Sequence, residues 1–218
     1  SMTRILFSRI TASVAAVASV VFSLAAPQAT AQTAVTVVEY YNKTVAAYFL
    51  TGRANEQATL DGISDFQRTG MTFQAVTAAS ATSAQSAVCR YRILVNASSG
   101  VNSHFYGLKS DCDFIAAANL PNFFNEGLDF AITQPVAGAC PAQAPVGIYR
   151  SLRLGTAVST PNHRYTVSNA SYQDMIKQGW TAEGLVFCVA SATDQTPRPI
   201  LNSASNLHNA CAVPRANS

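Results

Sequence analysis

One eight-residue pattern recurs three times and sets what this chain can fold into. It reads FQRTGMTF at residues 66–73, FFNEGLDF at 123–130 and WTAEGLVF at 180–187. Each copy has an aromatic residue, a glycine four places on and a phenylalanine three places after that. The glycines Gly70, Gly127 and Gly184 are 57 residues apart in both intervals. A fixed period of this kind predicts an array of one supersecondary unit. Glycine inside a strand marks a bulge or a close backbone approach. The aromatics Phe66, Phe123 and Trp180 and the closing Phe73, Phe130 and Phe187 are therefore expected in the core, with the strand bending at the glycine between them.

Superposing the three copies predicts the rest of the unit. Each opens with a strand, at residues 35–42, 88–94 and 148–154. Cys89, Tyr91 and Ile93 share one face of the second opening strand, and Ile148, Arg150, Leu152 and Leu154 alternate in the same way, the period of a half-buried strand. A second strand follows at AYFL (47–50), HFYG (104–107) and HRYT (163–166). A helix comes next, weakly marked at residues 53–63. Capping-box spacing marks it better at Ser110 and Asp113 and at Ser171 and Asp174, with Gly179 at the last helix's C-terminal turn. The unit closes on the aromatic-Gly-Phe strand. The expected fold is thus α+β: three quasi-equivalent strand-strand-helix-strand repeats, at about 35–76, 87–132 and 146–189, about a pseudo-threefold axis. A trefoil-like closure is the leading picture, since three repeats of a β-rich unit can close on themselves, and a small propeller-like arrangement is the alternative.

Flanking segments read differently. Ser1 stands ahead of Met2 and is set aside. Arg4 and Arg9 precede an apolar run at residues 14–26, and Ala29-Thr30-Ala31 has the small-x-small form of a cleavage site, so residues 1–31 are expected to be a signal peptide. The run is shorter than the roughly 20 apolar residues of a membrane span. Residues 32–190 then form one domain, and 191–218 an irregular tail. The expected location is secreted or periplasmic, with no membrane association after cleavage. Without Arg4 and Arg9, 12 Lys+Arg face 11 Asp+Glu, so the basic footprint of a nucleic-acid binder is missing.

The five cysteines, Cys89, Cys112, Cys140, Cys188 and Cys211, read as disulfide partners in an exported chain. Cys89 and Cys112 both fall in the second repeat. Cys140 precedes the third repeat's opening strand and Cys188 follows its closing Phe187, so that pair would cinch the unit shut. Cys211 is left in the tail, either free or bonded to another chain.

HFYG at His104, NHRYT at Asn162–Thr166, NEG at 125–127, AEG at 182–184 and the VCRY around Cys89 together resemble a family of secreted bacterial repeat domains. The ACP…YR…NHRYT…GWTAEG…C run from Ala139 to Cys188 is similar to it as well. That family has no settled activity and is often attached to extracellular hydrolases or surface proteins. The resemblance implies the same two disulfide pairs. The first repeat departs from it: Ala47 stands where His104 and His163 stand, and Thr69 replaces Glu126 and Glu183.

For chemistry, the three histidines His104, His163 and His208 lack a second ligand at a short metal spacing such as H-E-x-x-H, so no metal or cofactor is expected. No G-x-S-x-G elbow is present. Glu126 and Glu183 could supply the carboxylate pair of a glycosidase, yet equivalent positions in repeats suggest equivalent local bonds. The leading expectation is a non-catalytic binding module for glycans or cell-envelope polymers. Its expected ligand-binding residues are His104, Tyr106, Glu126, Asn162, His163, Arg164, Tyr165 and Glu183, because aromatic faces with polar tips suit sugar rings. The competing reading packs both Tyr–His pairs inward. An extracellular hydrolase of glycan or peptide is the second function class. A structural domain tethered through Cys211 is the third.

Overall fold

The computed structural model describes residues 31–96, 101–155 and 161–195. The chain runs β1 (Ala34–Asn42), β2 (Ala47–Thr51), α1 (Ala54–Asp61), β3 (Phe66–Thr77), β4 (Ser86–Asn96), β5 (Val101–Gly107), α2 (Lys109–Ala118), β6 (Phe123–Ile132), β7 (Val146–Arg153), β8 (Asn162–Thr166), α3 (Asn169–Lys177), β9 (Thr181–Val189) and β10 (Ala192–Asp194). The signal segment, His208 and Cys211 lie outside the described residues. Among those residues no helix is long and apolar enough to cross a membrane.

Strand alternation decides which side chains meet. On β1, Val38 and Tyr40 pack with Leu60 of α1, while Val37 faces the central core. On β4, Cys89 and Tyr91 pack with Ile115 of α2, while Val88 faces that core. On β7, Tyr149 meets Tyr172 of α3, with ring centroids 5.2 Å apart, and Ile148 faces the core. One core collects Val37, Phe73, Val88, Phe130, Ile148 and Phe187 from both sheets, each at most 1% exposed. Each side chain so buried contributes about 1.5–3 kcal/mol. The closing phenylalanines meet there: the Phe73 and Phe130 rings lie edge-on at 5.5 Å, and Phe187 stacks on Tyr165 at 5.6 Å.

The architecture corrects the expected fold class. The protein is mostly antiparallel β, and its strands lie in two open sheets; neither a trefoil-like closure about a pseudo-threefold axis nor a propeller forms. Six strands run in the order β2-β1-β3-β6-β4-β5, with β10 added on β3 to make seven, and β8-β7-β9 form a separate three-stranded sheet. The unequal division has a local cause. β3 is 12 residues long and its end pairs with β6 through Val76↔Ala131 and Thr77↔Phe130, merging the first two segments. Toward β9 the corresponding link from the end of β6 is a single bridge, Thr133↔Cys188.

Helix starts also differ from expectation. α2 begins two residues before the Ser110 box: its Ncap is Leu108, whose N–H donates to Asp111 Oδ2 at 3.1 Å. α3 is capped by Ser168, whose Oγ accepts from Ser171 N at 3.1 Å. In both segments the bond that closes the start comes earlier than the box read from spacing. Gly179 follows α3 with φ of +91°, a left-handed turn that glycine adopts at no steric cost. Cys89–Cys112 and Cys140–Cys188 are both disulfide-bonded. The first fastens α2 to β4, and the second fastens the approach to β7 onto β9.

Candidate functional site

The repeated glycines aim side chains. Gly70, Gly127 and Gly184 have φ of +91°, +83° and +83°. Each sits where a ladder loses register. Opposite Arg90 of β4 lie Glu126 and Gly127, between the pairs Cys89↔Leu128 and Tyr91↔Asn125. Arg150 of β7 pairs Gly184 and Ser151 pairs Ala182, with Glu183 the extra residue between them. Glu39 of β1 faces Thr69, Gly70 and Met71. A bulge turns a side chain off its normal face, and here it turns Glu126 and Glu183 toward an arginine and a histidine.

Around Arg90, four acidic and basic partners converge. Its guanidinium holds Glu56 in a two-point contact, Nη1 to Oε2 at 2.7 Å and Nη2 to Oε1 at 3.1 Å, and reaches Asp129 Oδ2 at 3.1 Å. Nε lies 2.8 Å from Glu126 Oε2, close enough for an ion pair but too far off-axis for a hydrogen bond. His104 Nε2 is 3.4 Å from the same oxygen, and the Phe49 ring sits edge-on to the imidazole at 4.6 Å. Burial pushes the Glu126 carboxyl up, and the contacts with His104 and Arg90 more than reverse it, so the group is more acidic than usual. Asp129 is raised instead, because its burial outweighs the attraction of Arg90.

Around Arg150 the arrangement is repeated. Its Nε donates to Glu183 Oε2 at 2.9 Å, His163 Nε2 is 3.5 Å from that oxygen, and Phe105 is edge-on to His163 at 5.3 Å. Glu183 is likewise lowered, burial being overcome by His163 and Arg150. The remaining bulge carries the charges the other way round. Glu39 on the strand is met by Arg164 from β8, Nε to Oε1 at 2.9 Å and Nη2 to Oε2 at 3.0 Å, with Thr69 Oγ1 donating to Oε2 at 2.7 Å. The pair is fully enclosed, at 1% and 0% side-chain exposure.

The cluster around Arg90 borders a pocket of about 450 Å³ between β2, α1 and β5. Tyr48, Phe49 and Phe66 give it an aromatic wall, and Arg92, His104 and Glu126 give it charged and polar groups. The expected site residues therefore separate. His104 and Glu126 meet at the pocket. His163 and Glu183 meet in the Arg150 cluster. Tyr106 and Tyr165 lie in the core, each bonding backbone through its hydroxyl. Asn162 and Arg164 are buried at the contact with β1 and β2.

The family described as Domain of unknown function (DUF5648) matches residues 20–133 and again 114–206. The chain belongs to this family. No curated protein matches it, and no solved structure does.

Within this DUF5648 chain, the sequence did not single out Arg90, Glu56, Arg92 or Tyr48, and Phe66, expected in the core, also lines the pocket. The arginines leave a trace, since Cys89-Arg90-Tyr91-Arg92 alternates as a strand whose second face is cationic. Strand pairing also moves one assignment. Tyr41↔Tyr48, Arg92↔His104 and Leu152↔His163 are corresponding pairs, so Tyr48, not Ala47, takes the histidine position in the first segment.

Proposed function

We propose that this chain is an extracytoplasmic, non-catalytic binding module whose pocket beside Arg90 takes a glycan. The observation that carries the reading is a pocket of about 450 Å³ lined by the aromatics Tyr48, Phe49 and Phe66 together with Glu126 and His104. Sugar rings present an apolar face to aromatic carbons and hydroxyls to fixed polar groups, the mixed lining of small-ligand sites. Arg90 holds Glu126 in place beneath the pocket, so the acceptor is set before a ligand arrives. A binding role fits the carboxyls better than catalysis. A proton donor in glycoside hydrolysis needs a raised pKa, whereas Glu126 and Glu183 are both lowered. Two disulfides suit an oxidising compartment, and the basic-apolar-small order of residues 1–31 suits export.

A screen of soluble glycans and cell-wall polymers tests the reading, using the unmodified chain, His104→Ala and His163→Ala. Binding that His104→Ala weakens about tenfold or more, and that His163→Ala leaves intact, is expected, since a lost polar contact is worth on the order of 1 kcal/mol or above. Absence of binding to every polymer in the screen would sink it.

A further inference from the structure

We infer that the pocket selects uncharged saccharides over anionic ones, a deduction that rests on the glycan reading above. The charges in and behind the pocket already cancel among themselves. Three carboxylates, Glu56, Glu126 and Asp129, stand against three guanidiniums, Arg53, Arg90 and Arg92, and the imidazole of His104 is engaged by Glu126 at 3.4 Å. Arg90 is shared by Glu56 and Asp129 through hydrogen bonds and by Glu126 through an ion pair. Arg53 lies 3.7 Å from Asp129 Oδ2 and its Nη2 donates to the Glu126 backbone carbonyl at 2.7 Å. Arg92 lies 3.7 Å from Glu126 Oε1 and stacks over Phe124 at 4.8 Å. A ligand with its own formal charge would lose water here and find no uncompensated counter-charge, which costs more than it returns.

What the pocket offers suits hydroxyl groups. Both Glu56 oxygens are taken by Arg90. Glu126 Oε2 is buried, while Oε1 lies 3.7 Å from Arg92 Nε, beyond hydrogen-bond reach of it, and is the oxygen offered as an acceptor. Asn42 uses its Oδ1 on the N–H groups of Thr44 and Val45, and this turns its amide nitrogen into the end left for donation. Thr44 is exposed and adds a hydroxyl at the same rim. These groups, with the imidazole of His104, match the vicinal hydroxyls and apolar face of a neutral sugar. A carboxylate or a phosphodiester would meet the Glu126 carboxylate in the same lining.

The experiment titrates the full chain, by calorimetry or protein-observed NMR, with three probe sets. These are neutral oligosaccharides (glucan, mannan and chitin fragments), oligogalacturonates, and a polyglycerol phosphate. Neutral fragments are expected to bind with an affinity that changes less than about twofold between low and high salt, because no ion pair is screened. Glu126→Gln is expected to weaken that binding at least about fivefold with its melting temperature checked in parallel, since one hydrogen bond to a charged acceptor is lost. Tighter, salt-sensitive binding of the galacturonates would overturn the neutral-ligand inference and leave the glycan reading standing, whereas such binding of the polyglycerol phosphate alone would overturn both. Silence across all three sets would overturn both. The ligand panel on the unmodified chain decides between these outcomes even if the variant fails to fold.

Discussion

The Tyr165 hydroxyl takes both backbone bonding groups of Tyr106: it accepts from the N–H at 2.8 Å and donates to the carbonyl at 2.7 Å. Tyr106 does the same to Leu50, accepting from its N–H at 3.0 Å and donating to its carbonyl. Tyr165→Phe removes one oxygen and leaves two buried groups without partners. The expected cost is about 1–3 kcal/mol, read by urea unfolding. A loss under about 0.5 kcal/mol would mean that other groups satisfy that backbone, contrary to its burial.

Arg164 and Glu39 form a buried ion pair joining β8 to β1. Arg164→Met strands a carboxylate with no exposure and is expected to cost about 3–5 kcal/mol. Adding Glu39→Met should recover most of that loss, because an apolar replacement of both partners removes the unpaired charge. If the double variant is as unstable as the single one, the pair contributes through shape rather than charge.

Gly127 carries φ of +83°, and a Cβ built there meets no atom within 4 Å. The penalty of Gly127→Ala is therefore backbone strain alone, about 1–2 kcal/mol. Relaxing the bulge would also swing Glu126 away from Arg90, so glycan affinity should fall in the same variant. Gly62→Ala serves as the control. Its φ is −87°, and the change should be neutral or slightly stabilising, by up to about 1 kcal/mol. Equal effects at the two sites, measured by thermal unfolding, would remove the special role given to the bulge.

Acid should destabilise the fold. Glu56, Glu126 and Glu183 all have folded pKa values below the usual 4.5. A depressed carboxylate contributes stability that is fully present above its unfolded value and is lost as pH falls through the lower folded one. Asp129 is shifted upward from 3.8 by burial and opposes this, while Asp61, lowered by its hydrogen bond with Arg68, adds to it. The melting temperature should stay level from neutrality down to about pH 5 and then drop. Glu126→Gln should make that drop shallower. A melting temperature that rises as the solution is acidified below pH 5 would contradict the sign worked out here.

Local features of the fold were legible in the sequence, and pairings at a distance were not. The glycine period, the alternating Cys89-Arg90-Tyr91 and the cysteine positions carry strands, bulges and disulfides within a few dozen residues of chain. Which sheet a strand joins rests on Val76↔Ala131 and Thr77↔Phe130, and no periodicity encodes two such contacts. The helix starts were misplaced because Ser110 and Asp113 have the spacing of a box whose work is done by Leu108 and Asp111. His104 and Glu126 stood out as repeated polar residues. Arg90, the group that holds Glu126, looks in sequence like an ordinary exposed strand residue and is 3% exposed in the fold.

Strands β2, β5, β8 and β9 end their sheets, and open sheets usually invite further strands to add on. Here the outward backbone of β2 is used up at Leu50 by Tyr106 and at Tyr48 by the Asn162 amide, which accepts from Tyr48 N at 2.8 Å and donates to its carbonyl at 3.1 Å. That of β5 is used up at Tyr106 by Tyr165. At these positions side chains stand in for the missing neighbours, so those N–H and C=O groups are no longer on offer as a template for an added strand. The larger sheet is thus capped along β2 from within the chain, by residues of β5 and β8 that belong to its own repeats.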